Sequence, residues 1–416
     1  MTHIGTVAVI GLGYIGLPTA AILATNGLDV IGVDVSHKTV DAVNDGRVPF
    51  VEPDLGIHVA GAVSQGRLKA TTETPPADAF IVAVPTPFLE DKSADLGYIE
   101  AAARGIAPVL QGGELVILES TSPPGATRHL GEYIVALRPD LSLDGTDGKP
   151  AILLAHCPER VLPGKVMIEL VTNDRIVGGL TPQAAELAKE LYSVFCQGEI
   201  LLTDDVTAEM AKLVENSYRD VNIAFANELS IISDKLGVNV WELIRLANHH
   251  PRVNILQPGP GVGGHCIAVD PWFIVAAAPE ESQLIKTARE VNDSKPGWVV
   301  DQLIRALEGA PENASIAVLG LAFKADIDDL RESPAIQIAV DIAGRLPSHR
   351  IRVAEPHVAS LPVSLERMPN VDLVDLESAV EHAHVVVVLV DHDEVRGLDP
   401  EIFVGKTVID TRGLWS

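Results

Sequence analysis

The feature that most constrains this chain is a glycine-spaced turn near its start, which reads Gly11-Leu-Gly-Tyr-Ile-Gly16. It directly follows the β-branched run Thr6–Ile10, and apolar residues at helical spacing continue through residues 14–26. A second β-branched run then ends at Asp34, about 20 residues after the first glycine, as dinucleotide-binding units require. This order of strand, tight turn, helix and strand predicts a βαβ unit that binds a dinucleotide.

Each glycine of the turn has its own physical task. Gly11 allows the sharp turn, Gly13 lets a pyrophosphate approach the backbone, and Gly16 lets the helix pack closely on the strand. The positive end of the helix then faces the phosphates. The carboxylate of Asp34 accepts hydrogen bonds from an unmodified ribose and repels a 2′-phosphate. We therefore predict NAD rather than NADP as the cofactor.

Strand-like and helical segments alternate in both halves of the chain. The strand-like runs are Thr6–Ile10, Val30–Asp34, Ala79–Val84, Leu115–Leu118, Ala151–Leu154, Ser315–Gly320, Ile351–Ala354, Val385–Val390 and Thr407–Asp410. Between the halves, apolar residues recur every three or four positions from about 203 to 235 and predict one long helix. The predicted fold class is α/β, with two Rossmann-like doubly wound parallel-sheet domains joined by a long central helix. The predicted domains are 1–202, which binds NAD, a central helical region over 203–308, and a second α/β domain over 309–416.

The charge balance limits the partners of the chain. Its 416 residues include 31 Lys and Arg against 57 Asp and Glu, which gives a net charge of −26. Such a chain is repelled by nucleic acid and by anionic membranes. No stretch reaches the ~18 consecutive apolar residues of a membrane-spanning helix. We expect neither partner, and an anionic ligand needs a locally basic pocket.

Three cysteines, Cys157, Cys196 and Cys266, are widely separated and show neither disulfide nor metal-ligand spacing. The first residues lack the basic and apolar segments of a signal peptide. These features predict a reducing, cytoplasmic location. The histidines also lack metal-ligand spacing, so no metal is predicted.

Two pairs of polar residues carry the candidate chemistry. Lys212 and Asn216 lie four residues apart on the predicted long helix, so both project from one face. Cys266 ends a loop rich in glycine and proline, and Asp270 follows four residues later. A thiol beside a cation becomes a nucleophilic thiolate near neutral pH. A dinucleotide site together with such a thiol predicts oxidation through a covalent thiohemiacetal, although a solvated Lys and a small buried Cys remain the alternatives.

Over essentially its full length, the chain resembles the nucleotide-sugar 6-dehydrogenases of the UDP-glucose/GDP-mannose dehydrogenase family. Several long motifs in a fixed order carry this resemblance, which makes it specific. The motifs are Val9–Pro18, Glu119–Pro123, Cys157–Gly164, Arg219–Glu228, Asn248–Asp270, Gly320–Lys324 and Leu330–Pro334.

The resemblance implies an NAD-dependent, four-electron oxidation of a sugar C6 alcohol to a carboxylate, with two NAD reduced per turnover. Cys266 then captures the aldehyde and carries a thioester that water cleaves. Lys212 corresponds to the acid/base lysine that stabilises an oxyanion, and Asn216 donates a hydrogen bond to the same oxygen. Asp270 corresponds to the carboxylate that positions a base or water, and Glu159 to the residue for the hydrolytic step.

The resemblance also implies two sets of ligand contacts. The cofactor contacts are Gly11, Gly13, Tyr14, Ile15, Gly16, Asp34, Thr86, Thr121, Thr127 and Arg331. The resemblance implies that the C-terminal domain binds the UDP-sugar, and the substrate contacts along the chain are Arg160, Val161, Lys212, Asn216, Arg219, His250, Arg252, Gly263, Lys324 and Arg412. Many of the latter are basic, which suits a diphosphate and supplies the local positive charge that the chain otherwise lacks.

Around the cysteine the chain departs from the UDP-glucose branch, which reads Gly-Gly-Ser-Cys-Phe-Pro-Lys-Asp. Here His265 replaces Ser and Val269 replaces Lys. The departure favours a branch that acts on UDP-N-acetylhexosamines, and the resemblance implies oxidation of UDP-N-acetyl-D-mannosamine to UDP-N-acetyl-D-mannosaminuronate for polysaccharide biosynthesis. It also implies a homodimer built on the central helices, with Arg252 reaching the neighbour's site.

Three other functions remain open. A UDP-N-acetylglucosamine 6-dehydrogenase would differ only in the C2 epimer, which no motif reveals. A two-electron 3-hydroxyacid-type dehydrogenase can share the glycine-rich first domain and a helix-borne Lys and Asn, but it has no need of Cys266. A non-catalytic nucleotide-sugar sensor would keep the fold and lose turnover.

Overall fold

The computed structural model describes residues 4–145, 148–162, 164–264, 266–311 and 313–415. His265, singled out in the sequence, lies outside the described residues. The chain forms two compact units, one of Met1–Glu215 with Trp272–Ala278 and the other of Asn216–Pro271 with Pro279–Ser416. The three domain boundaries proposed from the sequence stay a prediction.

The first unit is built on an eight-stranded sheet. Its strands are β1 (Thr6–Ile10), β2 (Asp29–Val33), β3 (Leu68–Thr71), β4 (Ala79–Val82), β5 (Leu115–Leu118), β6 (Leu153–His156), β7 (Arg175–Gly179) and β8 (Ile200–Asp204). The spatial order is β3-β2-β1-β4-β5-β6-β7-β8, in which every neighbouring pair is parallel except β6 and β7. The order reverses between β1 and β4, so the loop after β1 opens at the point where doubly wound sheets bind ligands.

Helices cover both faces of this sheet. They are α1 (Gly16–Thr25), α2 (His37–Asn44), α3 (Leu55–Ser64), α4 (Gly97–Ile106), α5 (Ala126–Leu137), α6 (Val166–Thr172) and α7 (Pro182–Tyr192), with a 3-10 turn at Ala107–Val109. Alternate residues of the fully buried strand β5 enter different cores. Leu115 and Ile117 pack in the core with α1, α3 and α7, and Val116 and Leu118 pack in the core with α4 and α5.

The long central helix, α8, spans Asp205–Leu236, close to the interval that the apolar spacing predicts. Its start is fixed by Asp204, which accepts hydrogen bonds from the Thr207 N–H at 2.9 Å and the Thr207 hydroxyl at 2.7 Å. It ends before Gly237, whose φ of +66° suits a glycine after a helix.

The second unit contains a five-stranded parallel sheet. Its strands are β9 (Ile316–Leu319), β10 (Ile351–Ala354), β11 (Val371–Leu373), β12 (Val385–Val388) and β13 (Thr407–Asp410), in the spatial order β11-β10-β9-β12-β13. Counted along the unit, this is the same 3-2-1-4-5 order as the first five strands of the other sheet. The two sheets confirm the predicted fold class.

The remaining helices of the described residues follow α8 in the sequence. They are α9 (Val240–Ala247), α10 (Asp270–Ala277), α11 (Gln283–Ala306), α12 (Pro334–Arg345), α13 (Val363–Glu366), α14 (Leu376–Glu381) and α15 (Asp393–Arg396), with a 3-10 turn at Pro400–Phe403. Among the described residues, no helix combines the length and apolar character that crossing a membrane requires.

The turn after β9 is fixed by a buried acid. Gly320 has a φ of +90°, and the acid at the end of β10, Glu355, is buried. One oxygen of Glu355 accepts the Leu321 N–H at 2.6 Å and the Ala322 N–H at 3.0 Å, and it also lies 3.1 Å from Nε2 of His392. The other oxygen accepts a hydrogen bond from the main-chain N–H of His357 at 3.1 Å. All of these partners belong to the protein, so this acid serves the turn itself.

Candidate active site

The glycine-spaced turn adopts the geometry that the sequence predicts. Gly11 has a φ of +94°, and a Cβ there would lie 2.4 Å from the Ala83 carbonyl oxygen. A Cβ on Gly16 would lie 1.9 Å from the carbonyl oxygen of Gly11. Both positions therefore exclude any side chain, and Gly16 sets how closely α1 approaches the turn.

The space around this turn fits a dinucleotide. Gly13 is exposed, and a Cβ there would meet nothing within 4 Å, so its glycine is not required by packing within the protein. Asp34 accepts the Leu12 N–H at 2.9 Å through one oxygen and the Ser36 N–H at 2.9 Å through the other. The Thr86 hydroxyl is buried without a hydrogen-bond partner, which leaves a polar group for a ligand to engage.

The other predicted cofactor contacts have more varied surroundings. Tyr14 is exposed and its ring lies 4.2 Å from the ring of Phe50. Ile15 precedes α1, and Thr121 follows β5 in the sequence. Thr127 is fully buried, and both its N–H and its hydroxyl donate to Glu209 at 2.7 Å. Arg331 belongs to the second unit, where its guanidinium pairs with Asp329 at 2.6 Å.

Lys212 and two predicted substrate residues line one cavity of about 480 Å³ in the first unit. Arg160 lies in its wall and forms an ion pair with Glu215, with 2.6 Å between Nη2 and Oε1. Its guanidinium also donates a hydrogen bond to the Asp174 carbonyl at 3.1 Å. The remaining wall includes Val161. The sequence analysis missed Glu215, whose only signal is its position three residues after Lys212 on α8.

Glu159 is buried beside this cavity and is held by the main chain. One carboxylate oxygen accepts the Arg160 N–H at 2.6 Å, and the other has no hydrogen-bond partner. Burial raises the pKa of Glu159, while the positive charges of Arg175 and Lys212 oppose that rise. A buried carboxyl with a raised pKa beside a lysine is a group suited to proton transfer.

A second carboxylate, Glu119, is fully buried in the same unit. It accepts hydrogen bonds from the hydroxyls of Tyr192 at 3.2 Å and Thr19 at 3.3 Å, and it lies 3.9 Å from the Arg175 guanidinium. Burial and the nearby charge of Glu159 raise the pKa of Glu119 to about 8, against the opposing effect of Arg175. The motif residue Glu119 was not singled out as a site residue, and Arg175 had no sequence signal.

The three cysteines differ in burial, and only one of them is exposed. Cys157 is buried, with its sulfur 3.6 Å from the Arg175 guanidinium, and burial raises the pKa of its thiol to about 12. Cys196 is half-buried, and its thiol donates to the Asn173 carbonyl at 3.5 Å. Cys266 is exposed. Only Cys266 therefore combines an accessible sulfur with a glycine-rich setting.

The second unit brings together two of the predicted catalytic residues. The Asn216 amide donates to Asp270 at 2.5 Å, although 54 residues separate them in sequence. Asp270 begins α10 and is buried, and its N–H donates to the Cys266 carbonyl at 2.8 Å. The helix start thus connects the thiol-bearing residue to the carboxylate and, through it, to the amide on α8.

The predicted substrate contacts of the second unit include four exposed basic residues, which are Arg219, His250, Arg252 and Lys324. Arg412 is partly buried and pairs with Asp391 at 2.7 Å. Its guanidinium lies 2.9 Å from where a Cβ on Gly259 would be. At Gly263, a Cβ would lie 2.5 Å from the Glu332 carbonyl oxygen, so close backbone packing already requires that glycine.

One cluster with possible metal ligands also lies in this unit, although the sequence spacing predicts none. Ligand atoms of Asp326, His357, His392 and Glu394 lie within 4.8 Å of one another. His392, however, already accepts the Asp326 N–H at 3.0 Å through Nδ1, and its Nε2 faces Glu355 at 3.1 Å. The most buried histidine of the cluster is therefore engaged by the protein through both ring nitrogens.

Comparisons with known proteins agree along the whole chain. The NAD binding domain of the UDP-glucose/GDP-mannose dehydrogenase family matches residues 5–196. The central domain of that family matches residues 206–294, and its UDP binding domain matches residues 317–416.

Individual relatives match over nearly their full lengths. An NDP-N-acetyl-D-galactosaminuronic acid dehydrogenase of Ralstonia nicotianae is 59% identical over 99% of this chain and 96% of its own. A UDP-N-acetyl-D-mannosamine dehydrogenase of Salmonella typhi is 54% identical over 99% of both chains. The solved structure of a UDP-D-ManNAc dehydrogenase from Pyrococcus horikoshii superposes with a TM-score of 0.86 at 40% identity, covering 99% of this chain and 96% of that one.

Proposed function

Because the chain belongs to the UDP-glucose/GDP-mannose dehydrogenase family, we propose that it oxidises UDP-N-acetyl-D-mannosamine at C6 to UDP-N-acetyl-D-mannosaminuronate with NAD. The observation that carries this proposal is the 54% identity to the Salmonella typhi UDP-N-acetyl-D-mannosamine dehydrogenase over 99% of both chains. The exposed thiol of Cys266 and the hydrogen-bonded pair Asn216 and Asp270 support it.

A second epimer is also supported by a specific observation. The Ralstonia relatives, which are 59% and 58% identical to this chain, are named for N-acetyl-D-galactosaminuronic acid. The manno and galacto sugars differ in the orientation of hydroxyl and amide groups on the ring, and discrimination depends on a few hydrogen bonds. The galacto substrate is therefore the second candidate, and it uses the same chemistry at C6.

The proposed reaction begins with the alcohol. NAD, which the glycine-spaced turn and Asp34 would hold, would supply the hydride acceptor for both oxidations at C6, so two NAD would be reduced for every sugar oxidised. Lys212 takes and returns the proton of the C6 oxygen, and its positive charge stabilises that oxygen when it is anionic. Asn216 donates a hydrogen bond to the same oxygen, while Asp270 keeps the Asn216 amide oriented by accepting from it at 2.5 Å.

The thiol then holds the half-oxidised sugar. The Cys266 thiolate adds to the C6 aldehyde and forms a thiohemiacetal, which prevents release of the aldehyde. Loss of the second hydride converts this adduct to a thioester. Glu159, with its pKa raised by burial, accepts a proton from the water that attacks the thioester carbonyl. The products are the carboxylate and the regenerated thiol.

A homodimer and a cytoplasmic location complete the proposal. Tyr218, Phe225 and Ile232 are exposed apolar residues at intervals of seven along α8, and they form a stripe suited to a second copy of the helix. A nucleophilic Cys266 must also stay reduced, which suits the cytoplasm.

The decisive experiment measures products and NADH together. The enzyme is supplied with NAD and with UDP-N-acetylmannosamine, its gluco and galacto epimers, or UDP-glucose. We expect two NADH per uronate formed and the highest kcat/KM with the manno sugar. A ratio of one with an accumulating carbonyl product would reject the four-electron scheme, and no NADH with any sugar would favour the sensor.

The thiol is tested by a matched pair of variants. Cys266→Ala is expected to lower uronate formation by about a thousandfold or more, as loss of a nucleophile does. Cys196→Ala, which removes a half-buried thiol, is expected to keep the parent rate within about twofold. Undiminished uronate formation by Cys266→Ala would reject the covalent mechanism.

A further inference from the structure

Four polar residues outside the motif-based site form a network within the second unit. Asp220 and Asn227 lie on α8, and Arg289 and Asn292 lie on α11. None is more than 1% exposed. Buried polar groups persist only where they are hydrogen-bonded, so the partners of these four residues indicate what they hold in place.

The network runs as a directed chain of side-chain amides. Asn227 accepts the Gly259 N–H at 2.8 Å and donates to the amide oxygen of Asn292 at 2.8 Å. Asn292 in turn donates to the Asp220 carboxylate at 2.8 Å and to the Asp220 carbonyl at 3.0 Å. Because a main-chain N–H can only donate and a carboxylate can only accept, the two ends fix the orientation of both amides.

The same network reaches the loop at a second point. The Arg289 guanidinium donates to the Asp220 carboxylate and also to the Ile267 carbonyl at 3.4 Å. Its two anchors on the loop, Gly259 and Ile267, therefore lie on either side of Cys266, and the second is the next residue in the chain. The segment between them is rich in glycine and has few side chains with which to fix itself.

We propose that Asp220, Asn227, Arg289 and Asn292 are positioning residues that hold the Cys266 loop in the geometry required for thiol attack. The inference rests on the proposed role of Cys266 in the reaction. Its physical basis is that displacement of a nucleophile by about 1 Å is enough to lower a rate by about a hundredfold. A network that only stabilises the unit would affect unfolding without affecting the thiol.

The directed chain permits a test by exchange of two side chains. Asn292→Asp places a carboxylate against the carboxylate and the main-chain carbonyl of Asp220. Asp220→Asn keeps an oxygen that can accept from Arg289 and Asn292, which share one carboxylate oxygen, but it removes the charge that pairs with Arg289. In the double variant, a single carboxylate stands at position 292, where it can accept from Asn227 and from the amide introduced at position 220. Asn292→Asp therefore breaks the chain by repulsion, and the double variant removes that repulsion and restores the net charge.

Four quantities are measured for each full-length variant. They are kcat and KM for the UDP-sugar, the rate at which iodoacetamide alkylates Cys266 as resolved by peptide mass spectrometry, and the temperature of unfolding. Asn222→Asp is the matched control, because its amide lies on the same helix and donates to the Tyr218 carbonyl at 2.6 Å, outside the network.

We expect each single variant to lower kcat by about tenfold or more while KM changes by less than about threefold. The alkylation rate of Cys266 should change by about threefold or more, and the double variant should bring both rates closer to the parent than Asn292→Asp does. Arg289→Lys adds a case that keeps a positive charge opposite Asp220, but its shorter side chain moves the donor away from the Ile267 carbonyl, so it should fold and still lower kcat.

The proposal is overturned if folded single variants keep the parent kcat and alkylation rate, or if the double variant folds but remains as impaired as the worse single variant. If the single variants do not fold, a folded Arg289→Lys with the parent kcat and alkylation rate overturns it equally. Changed alkylation of Cys266 in an enzyme that tolerates Cys266→Ala would instead reject the covalent mechanism, and the network would then hold the loop in place without serving thiol attack.

Discussion

At the scale of single residues, Asp34 shows how one carboxylate can serve both the fold and a ligand. Each of its oxygens accepts one main-chain N–H at 2.9 Å, from Leu12 and from Ser36. A carboxylate oxygen has room for a further hydrogen bond, which a ribose hydroxyl can supply. The same negative charge repels a ribose that carries a phosphate.

The first prediction concerns cofactor choice at this residue. Asp34→Asn keeps the shape but loses the charge and one acceptor, and a hydrogen bond to a charged group contributes about 1.5–3 kcal/mol. We expect KM for NAD to rise by about tenfold and the preference over NADP to fall. Initial rates with both cofactors measure this change. Asp41→Asn, an exposed acid on α2, should have the parent KM, and an unchanged KM for NAD in Asp34→Asn would contradict the ribose contact.

The second prediction concerns the pH dependence of stability at Glu119. Its pKa of about 8 in the folded chain lies above the ordinary value of 4.5, so its stabilising contribution is full below pH 4.5 and is lost as the pH rises through about 8. Glu119→Gln cannot ionise and avoids that loss. The melting temperature of the variant relative to the parent should therefore rise by about 2 °C or more between pH 6 and pH 9.

Thermal unfolding across that pH range is the measurement for Glu119. Glu186→Gln, an exposed acid on α7, should follow the parent at every pH. A difference between Glu119→Gln and the parent that stays constant with pH would show that Glu119 is ionised throughout.

The candidate reactive residues could be predicted from spacing and motif, but the buried network could not. Asn216 was singled out by its spacing from Lys212 and Asp270 by its motif, and the structure places their side chains 2.5 Å apart. Asn227 lies in a motif but was not given a role, and Asn292 was not singled out, because a buried amide carries no pattern that names its partner 65 residues away. The hydrogen-bond partners of such residues, and the orientation of their amides, follow only from the three-dimensional packing.

At the scale of elements, the β-branched runs predicted several strands with the bounds that the structure has. Ile351–Ala354 and Thr407–Asp410 are strands with the predicted bounds. The run Ala151–Leu154 was placed two residues early, since the strand is Leu153–His156 and ends in a buried histidine whose pKa burial lowers to about 3. Because a polar residue interrupts the apolar run, the end of such a strand cannot be predicted from the hydrophobic pattern.

Three strands of the first sheet, β3, β7 and β8, were not predicted, and the last two were missed for related reasons. Strand β7, Arg175–Gly179, starts with an arginine and ends with two glycines, which weaken the β pattern. Strand β8, Ile200–Asp204, lies at the edge of its sheet, and no residue in it is buried. The antiparallel pairing of β6 and β7 depends on the path between them and has no local signature.

The third prediction separates the two tasks of the glycine-spaced turn. Gly16→Ala puts a methyl group 1.9 Å from the Gly11 carbonyl oxygen, so α1 must move, and overpacking of this kind costs about 1–3 kcal/mol or more. Gly13→Ala meets nothing within 4 Å and should unfold at the parent temperature, yet its methyl group should raise KM for NAD by about tenfold.

Thermal unfolding without ligand and KM for NAD distinguish these two glycines. We expect Gly16→Ala to unfold several degrees below the parent, at about 2–4 °C per kcal/mol. The assignment of Gly13 to the pyrophosphate would be wrong if Gly13→Ala had the parent KM.

At the scale of the whole molecule, the exposed apolar stripe of α8 decides the expected assembly. Phe225 lies at its centre, with Tyr218 and Ile232 seven residues away on either side. The fourth prediction is that Phe225→Asp gives a monomer in light scattering where the parent gives a dimer, because a charge at the centre of an apolar interface is left without a partner. Val404→Asp, at an apolar residue that is 79% exposed elsewhere, should leave the dimer intact.

Activity of the monomer adds information about assembly. If Arg252 completes the site of the neighbouring subunit, the monomeric Phe225→Asp should also lose turnover by about tenfold or more. A parent that is monomeric at micromolar concentration would contradict the proposed dimer directly.

The saturated carboxylate of Glu355 has a consequence for how many cofactors the molecule can hold. Both halves have the same strand order and a glycine turn after the first strand, yet Glu355 serves two N–H groups, a third main-chain donor and a histidine, whereas Asp34 serves two. An adenosine ribose therefore finds more spare acceptor capacity at Asp34 than at Glu355. Equilibrium dialysis should accordingly find a single mole of dinucleotide per mole of polypeptide. Two units with the same strand order thus differ in specificity because their acids already accept different numbers of hydrogen bonds from the protein.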